Sequence, residues 1–159
     1  MVRMGELAVS RTPDAVLVSL GLGSCIGLAL VGSGVAGLAH VVLPESPPAG
    51  ASGTPGKFGD TAVPALVAEL AKAGAPRSGL RAVLVGGAQM FAFGSSGDIG
   101  GRNEAATRAA LAEAGIPVVA ACTSGSTGRT VRVHVGSGRV VVKEAGSREV
   151  ELFSGRLAA

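Results

Sequence analysis

The chain has no tryptophan and no tyrosine, and four phenylalanines supply all of its aromatic content, 3% of 159 residues. Proteins that hold single-stranded nucleic acid stack bases on aromatic side chains along a basic groove. Neither feature is present, because the 14 lysines and arginines are scattered and form no stripe. The formal net charge of +3 therefore reads as a mildly positive surface suited to an acidic protein partner, and no nucleic acid is expected. Charge of either sign is scarce as well, 16% of residues where soluble proteins average about 25%. With 47% apolar residues, that scarcity excludes a disordered chain. The length fits a single domain over residues 1–159 with a real core. There are only two cysteines, Cys25 and Cys122, too few for a disulfide framework. The start, Met1-Val2-Arg3-Met4-Gly5-Glu6, has an acid where the apolar core of a signal peptide would build, so a cytoplasmic location is expected.

Against these absences stands an uncharged run over residues 15–44, long enough to suggest a membrane span. It holds six glycines, a histidine and a central Gly32-Ser33-Gly34 turn signal, so two buried strands with their turn are the better reading and no membrane insertion is expected. Strands are predicted over residues 6–10, 15–20, 25–31 and 35–43. A proline- and glycine-rich loop follows over residues 44–57. Apolar residues at Val63, Leu66, Val67 and Leu70 predict a helix over residues 61–73, capped by Asp60, with Pro64 in its first turn and Gly74 ending it. Residues 81–85 read as a strand, 88–101 as a loop, and a second helix runs from an Asn103 cap to Ala114. Strands over 116–121, 130–135, 139–143 and 149–153 complete the chain, the middle two joined by Gly136-Ser137-Gly138. Strands early and late with both helices between them predict an α+β fold, a mixed β-sheet or β-sandwich core with two main flanking helices.

Two residues invite chemistry. Cys25 follows Gly21-Leu22-Gly23-Ser24, where glycines let the backbone turn sharply and aim N–H groups of Gly23 and Ser24 at a substrate carbonyl as an oxyanion hole. A thiol also needs a base, and His40 stands fifteen residues on, across the predicted hairpin. The plainer readings are a small core cysteine and a satisfied buried histidine. Two cysteines and two histidines match the tally of a zinc site, but no short ligand spacing is present. A rival dyad of Cys122 with His134 ranks lower, since His134 alternates with Arg132 and faces outward with it. The glycine-rich stretches match neither a dinucleotide fingerprint nor a phosphate loop.

Five segments then stand in order: Leu20-Gly21-Leu22-Gly23-Ser24-Cys25, Ala39-His40-Val41-Val42-Leu43-Pro44, Lys57-Phe58-Gly59-Asp60-Thr61-Ala62-Val63, Gly86-Gly87-Ala88-Gln89-Met90-Phe91 and Ile99-Gly100-Gly101-Arg102-Asn103. Together they resemble the CheD family of chemoreceptor glutamine deamidases over nearly the whole chain. The resemblance implies a fold related to the cytotoxic necrotizing factor type of cysteine hydrolase. It implies a Cys25–His40 pair with a hydroxyl residue as third member, a threonine in the family and Ser19 here. It implies chemoreceptor cytoplasmic helices as substrate and the CheC phosphatase as a further partner, with Gly86, Gly87, Arg102 and Asn103 on the substrate or partner side. The plainer reading of Asn103 is a helix cap. The implied chemistry passes through a cysteine thioester and requires no metal or cofactor. The loop Cys122-Thr123-Ser124-Gly125-Ser126-Thr127-Gly128-Arg129 departs from the family pattern, which often carries an acid and paired glycines there. Receptor methylesterase activity through the same dyad, and a purely docking role, both stay open on these residues.

Overall fold

A computed structural model describes residues 1–50, 53–89 and 98–155. In chain order the elements are β1 (Leu7–Ser10), β2 (Val16–Leu22), β3 (Ile26–Gly32), β4 (Val35–Val41), α1 (Gly59–Lys72), β5 (Arg81–Gly86), α2 (Ile99–Ala114), β6 (Val118–Thr123), β7 (Arg129–His134), β8 (Arg139–Glu144) and β9 (Glu149–Phe153). They form an α+β fold. Five strands in the order β1-β4-β3-β5-β6 make a mixed sheet, in which only β5 and β6 run parallel, and β2-β7-β8-β9 make an antiparallel sheet.

The large sheet is covered on both faces. On one, Ile26, Leu28, Leu30, Ala39, Val41 and Leu84 pack against Val63, Leu66 and Leu70 of α1 and Leu111 of α2. On the other, Ala29, Val31, Leu38, Val83 and Val85 pack against Leu17, Val131, Val133, Val140 and Val142 of the small sheet. The two helices thus share one face of the large sheet. This layering explains the uncharged run: β3 and β4 are buried on both faces, and such strands read as continuous apolar stretches. Their hairpin turns through Ser33-Gly34, with Gly32 paired to Val35. No helix among the described residues is long and apolar enough to cross a membrane.

The chain changes sheets twice near its beginning, from β1 in the large sheet to β2 in the small one and back to β3. β2 belongs to the small sheet and β3 lies at the centre of the large one, so residues 23–25 form the corner between them. β2 bends towards that corner at an irregularity between Ser19 and Leu22, where Gly21 takes a φ of 64°.

Three expected helix details differ. α1 starts at Gly59, so Asp60 is not its cap; the carboxylate instead accepts from the Ser46 N–H and hydroxyl, both at 2.9 Å, and ties down the loop after β4. Pro64 accordingly lies inside α1, beyond its first turn, and deprives the Asp60 carbonyl of its helical donor. α2 starts at Ile99 and is capped by Asp98, whose Oδ1 accepts from the Gly101 N–H at 2.9 Å. The expected loop over 88–101 therefore ends earlier, and its residues 90–97 lie outside the described residues. Asn103 is an interior, fully buried residue of the helix and not its cap.

Candidate active site

Cys25 sits one residue before β3, at the corner between the sheets, with 9% of its surface exposed. The register pairs Gly27 with His40 and Ile26 with Val41. Side chains alternate along a strand, so Cys25, Gly27 and His40 share the face turned to the small sheet. Cys25 is then the diagonal neighbour of His40, roughly 7–8 Å away along the backbone positions, with side chains able to close that gap. Glycine at position 27 leaves the face between them without a side chain of its own. Leu22 Cδ1 and Val131 Cγ1 fill that space, 2.9 and 3.1 Å from where a Cβ would stand.

His40 is buried, with 3% exposure, and its two nitrogens differ. Nδ1 lies 3.2 Å from the Val2 carbonyl oxygen. A carbonyl only accepts, so Nδ1 carries the proton and Nε2 carries the lone pair. Nε2 has no hydrogen-bond partner among the described residues. Burial pulls the imidazole below its ordinary value, opposed by the bond to Val2 and the charge of Glu6. Burial also pushes the Cys25 thiol up. The resting pair is therefore a neutral thiol beside a neutral imidazole whose free nitrogen is basic. No hydrogen bond joins them in this state.

Ser19 is also fully buried, and its hydroxyl donates to the Val2 carbonyl at 2.8 Å. Ser19 and His40 thus meet on one backbone oxygen. The hydroxyl expected to orient the imidazole acts on it only through Val2.

The corner is held by its carbonyls. The Gly23 carbonyl accepts from the Ala88 N–H and the Cys25 carbonyl from the Gly87 N–H, both at 2.9 Å. The Ser24 carbonyl accepts from Asn103 Nδ2, also at 2.9 Å. In a trans peptide the N–H of the next residue points opposite the carbonyl. Fixing the Gly23 and Ser24 carbonyls inward therefore turns the N–H groups of Ser24 and Cys25 the other way, as an oxyanion hole requires.

Known proteins resemble this chain over most of its length. Residues 42–144 match the family model described as CheD chemotactic sensory transduction. A protein of Symbiobacterium thermophilum named "Probable chemoreceptor glutamine deamidase CheD" is 48% identical over 157 residues, covering 95% of each chain. One of the same name from Clostridium botulinum strain Hall is 39% identical over 150 residues, covering 91% of this chain and 92% of its own. The chain belongs to the CheD family.

Within this CheD domain the residues expected on the substrate or partner side divide. Gly86 and Gly87 are buried, and a Cβ on Gly86, whose φ is 113°, would collide with the Cys25 carbonyl. Both lie beside the corner that carries Cys25, where the Gly87 N–H donates to the Cys25 carbonyl. Asn103 is buried too, whereas Arg102 beside it is exposed. Cys122 stands apart from His134: its thiol donates to Glu144 Oε1 at 3.4 Å, and His134 faces outward in β7 with Arg132. Among the described residues no group of three or more His, Cys, Asp or Glu is placed to hold a metal.

Two contributors escaped the sequence reading. Val2 acts through a carbonyl that every residue possesses, so no side-chain signal marks it. Arg129 is buried and its Nη1 donates to the Gly86 carbonyl at 3.0 Å. Its Nε lies 3.7 Å from Glu144 Oε1, an ion-pair separation too long for a hydrogen bond, and is without a hydrogen-bond partner among the described residues. A signal for Arg129 existed. The alternation that sends Arg132 and His134 outward sends Val131, Val133 and Arg129 inward.

Proposed function

We propose that this CheD protein deamidates glutamine side chains on the cytoplasmic helices of chemoreceptors, with Cys25 as nucleophile and His40 as general base. The observation that carries the reading is His40 itself: a buried imidazole with Nδ1 fixed on a carbonyl and Nε2 free, on the same sheet face as a thiol at a backbone corner. The relatives' name supplies the substrate class.

His40 Nε2 takes the Cys25 proton as the sulfur attacks the side-chain carbonyl carbon of glutamine, and the N–H groups of Ser24 and Cys25 receive the oxyanion. The carbon–nitrogen bond breaks as His40 returns the proton to the departing ammonia, leaving a thioester. His40 then takes a proton from water, hydroxide adds to the thioester carbon, and the carbon–sulfur bond breaks to give glutamate and restore the thiol. The sum is glutamine plus water to glutamate plus ammonia, with no redox change. Two glycines and a serine at the corner serve this chemistry through their backbone. A fold related to the cytotoxic necrotizing factor type of cysteine hydrolase is part of the same reading. Arg102, exposed at the start of α2, is the residue suited to meet a receptor or a CheC partner.

The test is mass spectrometry of a receptor cytoplasmic fragment incubated with the wild type or with Cys25→Ala. Glutamine becomes glutamate at defined sites with the wild type and stays unchanged with the variant. A fragment that binds the protein yet is altered by neither would leave docking as the function.

A further inference from the structure

We propose that Asn103, in the second turn of α2, is a positioning residue that sets both the spacing of the Cys25–His40 dyad and the direction of the Cys25 N–H. The proposal rests on the deamidase reading above.

Asn103 is fully buried, yet it lies on α2 and belongs to neither sheet. Its Nδ2 donates to two carbonyls far apart in sequence, Ser24 at 2.9 Å and Val42 at 3.0 Å. Ser24 precedes the nucleophile and Val42 follows His40 by two residues. The paired strands end between these points: β3 begins at Ile26 and β4 ends at Val41. Past the last ladder pair, Ile26 with Val41, the sheet no longer fixes the distance between the chains. One amide group spans the gap and continues the ladder by one rung.

The bond to Ser24 has a second consequence. The Ser24 carbonyl and the Cys25 N–H belong to the same peptide plane and point in opposite directions. Holding the carbonyl against α2 points that N–H away from α2, on the side where a tetrahedral oxyanion forms. Asn103 need not approach the substrate to affect the transition state.

The amide pays for this with its other end. Oδ1 is buried and has no hydrogen-bond partner among the described residues. The opposite amide orientation would face two carbonyls with an oxygen, so the donor assignment is forced. A core position chosen for stability alone is better filled by an apolar residue than by an amide with an unmet acceptor. The backbone carbonyl of Asn103 accepts from the Thr107 hydroxyl at 2.8 Å, a bond internal to α2 that does not reach the site.

The experiment compares Asn103→Ala, the isosteric Asn103→Asp and Thr107→Ala with wild type and Cys25→Ala, using deamidation of a receptor cytoplasmic fragment and thermal unfolding. Both Asn103 variants are expected to lose about 10- to 100-fold in kcat with KM within about twofold, because the donors they disturb act on the transition state. In Asn103→Asp the loss shrinks as pH falls, since a protonated carboxyl again donates. Thr107→Ala lowers the unfolding midpoint without changing kcat of the folded protein. Wild-type kcat in both folded Asn103 variants overturns the proposal while leaving the dyad in place. So does failure of both to fold, which would make Asn103 a folding residue. No deamidation by the wild type overturns the deamidase reading beneath it, and full activity in Cys25→Ala overturns the dyad on which Asn103 is proposed to act.

Discussion

At the residue scale the proposed dyad is defined by what each partner lacks. The thiol is pushed up by burial and the imidazole is pulled down by the same cause, so neither is charged at rest near neutral pH. The sign for activity follows directly. A lowered imidazole stays neutral, and therefore basic, to more acidic pH, so the acid limb of kcat/KM for deamidation falls below the ordinary imidazole range. A raised thiol yields little thiolate near neutrality, so iodoacetamide alkylates Cys25 in the resting protein slowly until the pH is alkaline. A preformed thiolate–imidazolium pair would instead give fast alkylation that levels off below neutral pH, and alkylation rate against pH separates the two. Stability carries the same sign. His40 binds its proton less readily folded than unfolded, so its contribution is full above the unfolded value and is lost as pH falls through the folded one. The positions of Cys25 and His40 were legible because both are rare residue types set in glycine-rich or apolar motifs. Their environment was not, because burial depends on which sheet covers which face.

At the element scale the first six residues form a strap over the site. The Val2 N–H donates to the Val18 carbonyl at 2.7 Å, the Gly5 N–H to the His40 carbonyl at 2.9 Å, and the His40 N–H to the Glu6 carbonyl at 3.0 Å. The strap delivers the Val2 oxygen to both Ser19 and His40. Ser19→Ala removes one of two donors to that oxygen, a neutral bond contributing about 1 kcal/mol, and leaves the His40 bond intact. It is expected to lower kcat by no more than about tenfold. Val2→Pro removes the tie to Val18 and frees the carbonyl itself, and a lost orientation of that kind costs about 100-fold. Steady-state deamidation by the two variants decides between a direct and a carbonyl-mediated role for Ser19, since a direct orienting role predicts Ser19→Ala to be the more damaging. The strands were readable from alternation and turn residues, and β9 agrees at both ends. The assignment of β2 and β3 to different sheets was not. Both are apolar, and only the bend between Ser19 and Leu22 separates them. Helix starts were misplaced for a similar reason: Asp60, Asp98 and Asn103 are all competent caps, and tertiary partners decide which one caps.

At the scale of the whole molecule the two sheets must stay in register at the corner that carries Cys25, and Arg129 joins them there. It stands at the start of β7 in the small sheet and donates to the Gly86 carbonyl at the end of β5 in the large one. The same carbonyl accepts from the Ser124 N–H at 3.1 Å, and the neighbouring Gly87 N–H holds the Cys25 carbonyl. Arg129→Ala removes a charged hydrogen bond and a buried side-chain stem, together about 2–4 kcal/mol. For a chain of this size the unfolding midpoint should fall by about 5–15 °C. Glu144, the other end of the ion pair, is partly exposed at 39% of its side chain, so solvent screens the pairing and Glu144→Gln should leave the midpoint nearly unchanged. The contrast is measurable by calorimetry on the two variants. If they lowered the midpoint equally, the ion pair would be the contact that matters, and the bond across the sheets would not. Because Gly86 and Gly87 lie between Arg129 and the nucleophile, Arg129→Ala should also reduce deamidation by the protein that remains folded, whereas Glu144→Gln should not.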